Sequence, residues 1–281
     1  MNTPVLNTSV QTPGASRPLR IGVIGYGYIG RHVVDSIRLQ HGPHLSLAFV
    51  HARDPARLQD LPPDLVAPSL ADVRRFAPDL IVECAHPDIT RRHAADFLSF
   101  ADYLPLSVNA LADPATEAAL DQACAASGRR LFIPHGALIG LDNLVELRGQ
   151  WQEVTITFRK HPDNIDYADA GIERDSIREK AVLYDGPARG IARLFPRNVN
   201  TMTTCALATV GLDRCRAVLI ADPELAGVAI AEVRAVTQDG SIHESRKQQR
   251  MSGVSGTEML ASQLGSILRA AGHQPPGINF V

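Results

Sequence analysis

Between Leu19 and Pro134 the chain alternates short apolar runs with stretches whose apolar residues recur at helical spacing. LRIGVIG, LSLAFV, LIVECA, YLPLSV and RLFIP are the runs, at 19–25, 45–50, 80–85, 103–108 and 130–134. LIVECA is nearly all apolar, as expected of a strand covered on both faces. Val33, Val34 and Ile37 share one helical face, ITRRHAADFLSF (89–100) reads as a helix, and PATEAALDQACAAS opens with Pro114 and stops at Gly128. Repeated β-α-β units predict a parallel, doubly wound sheet, an α/β fold class.

After about residue 135 the rhythm changes. EVTITFRK (153–160) alternates, with Val154, Ile156 and Phe158 on one face and Thr155, Thr157 and Arg159 on the other. RAVLIAD (216–222) and VAIAEVRAV (228–236) read as strands, and the Asp239-Gly240 turn leads into SIHESRKQQ, an antiparallel hairpin. With a helix over roughly 198–210, this predicts a second, α+β domain with a mixed or antiparallel sheet. The expected organisation is a disordered tail over 1–17, a dinucleotide-binding domain over 18–135 and a substrate and dimerisation domain over 136–254. A last helix, at about 255–271, is expected to pack back on the first domain.

Composition narrows the partners. The 281 residues carry a formal net charge of −2 and no long basic run, so nucleic acid is not an expected partner. No apolar run reaches the roughly 18 residues of a membrane span. MNTPVLNTSVQTPGASR lacks the basic start and apolar centre of a signal peptide. Cys84, Cys124, Cys205 and Cys215 form no C-x-x-C pair, and the ten histidines form no metal-ligand spacing, which argues for no metal and a reducing, cytoplasmic setting.

The first βα turn reads GYGYIG, with Gly25, Gly27 and Gly30 at G-x-G-x-x-G spacing. The first glycine allows the tight turn, the second the approach of a pyrophosphate, and the third close packing of helix on strand. A strand before it, a helix after it and a second strand about 20 residues on supply the context that the motif needs. Gly25, Gly27, Tyr28, Ile29 and Gly30 are therefore the expected pyrophosphate seat of NADP or NAD in a Rossmann domain; S-adenosylmethionine, which uses similar turns, is the alternative. After the second strand comes HARD: Ala52 and Arg53 stand where an acid would hold the ribose of NAD, and Asp54 lies one further. Arg53 suits a 2′-phosphate and tilts the expectation toward NADP.

Ligands bind outside the carboxyl ends of such strands. That singles out Ala85 and His86 after LIVECA, Ser107 and Asn109 after YLPLSV, and His135 and Gly136 after RLFIP, with Gly140 and Asp142 beyond. In LFPRNVNTMTT, Arg197, Asn198, Asn200, Thr203 and Thr204 gather at a helix start suited to a carboxylate. Lys160 and His161 close EVTITFRK. The bland readings are helix caps for His86 and Asp142 and an exposed strand end for Lys160 and His161.

IGVIGYGYIG, VECAHPDI, GALIGLD, LYDGPARGIARLFPRNVN and VLIADPELAG together resemble the L-aspartate dehydrogenase family over about residues 19–281. The resemblance implies a Rossmann domain followed by an α+β domain, a homodimer, and reversible NAD(P)-dependent oxidation of L-aspartate to oxaloacetate and ammonia through iminosuccinate, feeding NAD biosynthesis in some organisms. It also implies a catalytic histidine a few residues after the ADP tripeptide, where this chain has Val228, Ala229 and Ile230. His86, His135, His161 and Asn198 then become the catalytic candidates, and Lys160, Arg197, Asn198 and Asn200 the substrate-binding ones. The alternatives are a reductase of another small acidic imine or carbonyl substrate and a dinucleotide-binding protein without turnover.

Overall fold

The structure is a computed structural model and describes residues 17–272 apart from His41 and Pro43. The chain begins with β1 (Leu19–Ile24), α1 (Tyr28–Leu39), β2 (Leu45–His51), β3 (Leu80–Glu83), α2 (Pro87–Phe97), β4 (Asp102–Pro105) and α3 (Pro114–Ser127). These four strands form a parallel sheet of order β2-β1-β3-β4. Alternate strand residues feed opposite faces. Val23, Val82 and Leu104 pack with Val33, Val34 and Ile37 of α1, whereas Ile81 and Tyr103 pack with Phe97 of α2 and Leu120 of α3. The tail expected over 1–17 lies outside the described residues except for Arg17, whose guanidinium forks onto Asp79 at 2.6 and 2.7 Å.

RLFIP, expected as a strand, makes only the bridge Tyr103↔Leu131. Tyr103 donates its N–H to the Arg130 carbonyl and accepts from the Phe132 N–H, and then Pro134 offers no N–H while the His135 N–H goes to Ser266 Oγ. The chain thus leaves the sheet for the second half.

That half runs α4 (Leu141–Glu146), β5 (Trp151–Lys160), β6 (Ala181–Pro187), α5 (Ala188–Leu194), α6 (Asn200–Ala208), β7 (Arg216–Ala221), β8 (Val228–Thr237), β9 (Ile242–Ser252), β10 (Ser255–Gly256) and α7 (Met259–Ala270). The sheet order is β10-β9-β8-β5-β7-β6, mixed because β5 and β7 are parallel and the other pairs antiparallel. Val154, Ile156 and Phe158 point toward Phe195, Met202 and Cys205 of the covering helices. The helix expected from 255 starts at Met259, because Ser255 and Gly256 first pair with the end of β9. α7 returns to the first sheet and buries Ile267 beside Val33 and Val34. Gly140, at φ +72, caps α4, which puts Asp142 inside the first turn rather than at the cap.

Candidate active site

At the first βα turn, Gly25 has φ +100, and a Cβ on it would lie 2.8 Å from the Cys84 carbonyl carbon and oxygen. A Cβ on Gly30 would strike the Gly25 carbonyl oxygen. Gly27 differs: a Cβ there would meet nothing within 4 Å. Gly27 caps α1 with no side-chain bond, and no acid stands in the first turn. Free helix N–H groups therefore face open room, the arrangement an anionic pyrophosphate needs. Tyr28 is exposed beside it and Ile29 half-buried. Past β2, the Asp54 carboxylate is taken by the Ala56 N–H, while Arg53 is exposed with no side-chain partner among the described residues. The residues fit a dinucleotide: the turn would hold its pyrophosphate and the Arg53 neighbourhood its adenosine ribose.

At the carboxyl edge of the same sheet, Glu83 is fully buried and accepts from the Ala85 N–H at 2.6 Å and from the Ser107 N–H and Oγ at 3.2 Å. Burial pushes its carboxyl up to about 7, against the pull of these donors. Ala85 is exposed. His86 is exposed too and caps α2, its Nδ1 accepting from the Asp88 N–H at 3.2 Å. Asn109 links the halves: its N–H donates to Asn200 Oδ1 at 3.0 Å and its Nδ2 to the Pro196 carbonyl at 2.7 Å, leaving its buried Oδ1 without a partner.

Beyond Asn200 opens a cavity of about 100 Å³. Its floor is the helix-covered face of the mixed sheet, where Lys160 stands opposite Ala229, which pairs with Gln249, and Phe158 stands opposite Ala231, which pairs with Lys247. Lys160 takes the next place on the face of Val154, Ile156 and Phe158, a position where the alternation calls for an apolar side chain. It is 4 % exposed, and among the described residues its Nζ donates only to the Val254 carbonyl, at 3.2 Å. Burial pushes this amine down to about 8. Lys247 pairs with Glu258 at 3.1 Å. Gln263 of α7 is buried with its Oε1 unpartnered. Gly136, at φ +60, comes close enough to α6 that a Cβ would lie 2.8 Å from Thr201 Oγ1.

The other candidates divide by place. Arg197 lines the cavity but is exposed and bonded to Asp166 at 3.1 Å. Asn198 also lines it, yet both ends of its amide are held by the Asp166 backbone, at 2.8 and 3.1 Å. Thr203 and Thr204 spend their hydroxyls on the Val199 and Pro134 carbonyls. His135 is half-buried behind Gly136, and burial followed by the Arg269 charge lowers its pKa. His161 caps a 3-10 turn, accepting from the Asp163 N–H at 3.2 Å. No histidine is among the residues lining the cavity. Glu83, Lys247, Glu258 and Gln263 went unnoticed as site residues in sequence. Among the described residues no group of His, Cys, Asp or Glu could hold a metal, and no helix is long and apolar enough to cross a membrane.

A Rossmann half with an open glycine turn, joined to a mixed-sheet half with a basic cavity, defines an NAD(P)-dependent oxidoreductase acting on a small molecule. The profile described as "Homoserine dehydrogenase, NAD binding domain" matches residues 25–134, and the one described as "Aspartate dehydrogenase, C-terminal" matches 142–269. The chain is 36% identical to an aspartate dehydrogenase domain-containing protein of Xenopus tropicalis, over 92% of this chain and 96% of that one. It is 32% identical to L-aspartate dehydrogenase 1 of Bordetella pertussis, over 90% of this chain and 95% of that one. It belongs to the aspartate dehydrogenase family. The crystal structure of aspartate dehydrogenase from Thermotoga maritima has the same fold, with a TM-score of 0.71 and 24% identity over 94% of this chain and 99% of that one.

Proposed function

We propose that this chain oxidises L-aspartate to oxaloacetate and ammonia through iminosuccinate, reversibly, with NADP or NAD. The observation that carries the reading is the donor set of the cavity: Arg197, Lys247 and Asn200 line it with N–H groups, and Glu258, the one acid of the described lining, is held by Lys247. Such donors favour a substrate that carries carboxylates. Asn200, whose Oδ1 is taken by Asn109, has its NH2 group left to hold a substrate carboxylate. The bound nicotinamide supplies the hydride acceptor. The protein's part is to orient C2 of the substrate, neutralise its carboxylates and move protons. Arg53, exposed and without a side-chain partner among the described residues, favours NADP over NAD by pairing with the 2′-phosphate. A cytoplasmic homodimer completes the reading; the four cysteines are all free thiols, in keeping with a reducing compartment. Sedimentation of the purified chain at twice its monomer mass checks the dimer.

The test is direct. Purified protein with L-aspartate and NADP+ or NAD+ is expected to form reduced nicotinamide between about pH 7 and 10. No formation with either cofactor removes the substrate. A second reading, reduction of another small acidic imine or carbonyl compound, is favoured by one observation: the β8 wall of the cavity offers Ala229, Ile230 and Ala231 and no histidine. NADPH consumption across a panel of oxo acids with and without ammonia separates the two.

A further inference from the structure

Only three of the 28 basic residues are lysines: Lys160, Lys180 and Lys247. Two of the three line the cavity of the mixed-sheet half. The choice of lysine is chemical, because an arginine does not lose its proton in a protein and a buried lysine can. Among the titratable side chains of the lining, Lys247 and Glu258 neutralise each other at 3.1 Å, and Arg197 stays charged beside Asp166. Lys160 remains, with no carboxylate at ion-pair distance among the described residues and the Val254 carbonyl as its one acceptor.

The groups around it supply no competing proton carrier. On its own strand, Arg159 projects to the other face and bonds Glu232, and His161 turns to Asp163. From β8 come Ala229, Ile230 and Ala231, from β9 Lys247 and Gln249, from α7 Glu258 and the neutral Gln263, and from the segment before α6 Arg197.

We propose that Lys160 is the proton carrier of this site, a neutral amine base rather than a fixed charge for a carboxylate. The inference rests on the aspartate reading and deepens it. In the oxidative direction the substrate's ammonium gives one proton to the Lys160 amine, which becomes an ammonium. The freed nitrogen lone pair forms the C=N bond as the C2 hydrogen leaves with its bonding pair to the oxidant, the nicotinamide cofactor. The Lys160 ammonium then releases that proton to solvent, and water adds to C2 of the protonated imine. The Lys160 amine takes one proton from that water and passes it to the nitrogen, then takes the remaining hydroxyl proton as the C=O bond forms and the nitrogen departs as ammonia. The amine's midpoint of about 8 leaves it largely unprotonated in the alkaline range where such an oxidation runs.

Three lysines make the test readable. The full chain, carrying 13C- and 15N-labelled lysine and no ligand, gives three side-chain NMR signals to follow with pH, and Lys160→Arg removes the one to be assigned. The Lys160 signal is expected to titrate near 8. A Lys160 midpoint above about 10 overturns the proposal whatever the kinetics show. In steady-state assays Lys160→Arg keeps the charge and loses the base. It is expected to lower kcat for L-aspartate at least about 100-fold with KM changed less than about threefold. Lys160→Ala is expected to regain activity with added ethylamine. A raised KM with kcat kept would instead make Lys160 a carboxylate anchor and overturn the proposal. Wild-type protein inactive on L-aspartate ends the substrate reading, and the NMR midpoint still decides the state of the amine. If Lys160→Arg fails to fold, as judged by melting and by dinucleotide binding in calorimetry, Lys160→Met assigns the signal.

Discussion

Glu83 and Lys160, one in each half of the molecule, are buried without a counter-ion among the described residues, and the two are treated in opposite ways. Glu83, under the dinucleotide turn, has three donors on its carboxylate. Lys160, in the cavity, has one acceptor among the described residues for an amine that has two N–H groups to donate. The first is a tie: it fixes the loops after β3 and β4 against each other. The second is left wanting partners where a small molecule would arrive. The dinucleotide half shows the same economy elsewhere, since His86 and Asp54 both spend their side chains on helix caps. On the proposed reading it would bind with backbone and open space, and the chemistry would be left to side chains of the other half.

If that division is right, the largest single loss comes from filling the open space. Gly27 has φ −85 and free room, so Gly27→Val folds without strain and puts its methyl groups where the pyrophosphate would lie. Dinucleotide affinity measured by calorimetry is expected to fall at least about a thousandfold, roughly 4 kcal/mol, with the melting temperature of the free protein unchanged. A matching loss of stability would mean that the room belongs to the fold. Gly30→Ala sharpens the contrast, because its Cβ meets the Gly25 carbonyl oxygen and must cost stability as well as binding, by about 1–3 kcal/mol.

The tie at Glu83 has a pH signature. Its folded pKa of about 7 lies above the unfolded value, so the folded state holds the proton more tightly. Stability from this group is complete below about 4.5 and declines as pH rises toward 7, by about 3 kcal/mol at most. Lys160 runs the other way in sign: its lowered pKa means that stability recovers as pH rises from about 8 to 10.5. Chemical denaturation of Glu83→Gln is expected to lose the decline between pH 4.5 and 7 and to keep the recovery above 8. A wild-type profile that is flat between pH 4.5 and 7 would deny Glu83 its raised pKa.

Why the sequence shows the first half better than the second follows from the same contrast. The glycine turn, α3 between Pro114 and Gly128, and the hairpin at Asp239-Gly240 are set by neighbours along the chain, and the structure has each of them. Glu83 is hidden inside an apolar run, where one carboxylate looks like any strand position. The cavity joins β5, β8, β9 and α7, elements spread over residues 151–270, and only strand pairing and the return of α7 bring Lys247 and Gln263 to the cavity that Lys160 lines. β6 went unread because AVLYDGP ends in turn residues; as an edge strand with only β7 beside it, it tolerates Pro187.

At the adenosine end, Arg53 is exposed and unpartnered, so Arg53→Asp changes recognition and leaves the fold alone. The ratio of kcat/KM for NADP+ to that for NAD+ is expected to drop about tenfold or more, worth about 1.4 kcal/mol. An unchanged ratio would remove the arginine from the 2′-phosphate and leave the turn as the sole anion contact.

The smallest expected effect bears hardest on the division itself. His86 stands next to Ala85 at the carboxyl edge, the place where a histidine would be taken for a proton donor. Its Nδ1 is engaged by the Asp88 N–H, and Asp88 and Arg91 complete the first turn of α2 around it. Asparagine serves equally well at a helix N-cap. His86→Asn is therefore expected to keep kcat within about twofold and stability within about 0.5 kcal/mol, whereas His86→Ala costs about 1 kcal/mol of stability with kcat still unchanged. Stability and catalysis part company in these two variants only if the histidine is a cap. A hundredfold fall in kcat for His86→Asn, with its melting temperature intact, would return proton transfer to the dinucleotide half and take from Lys160 the role assigned to it.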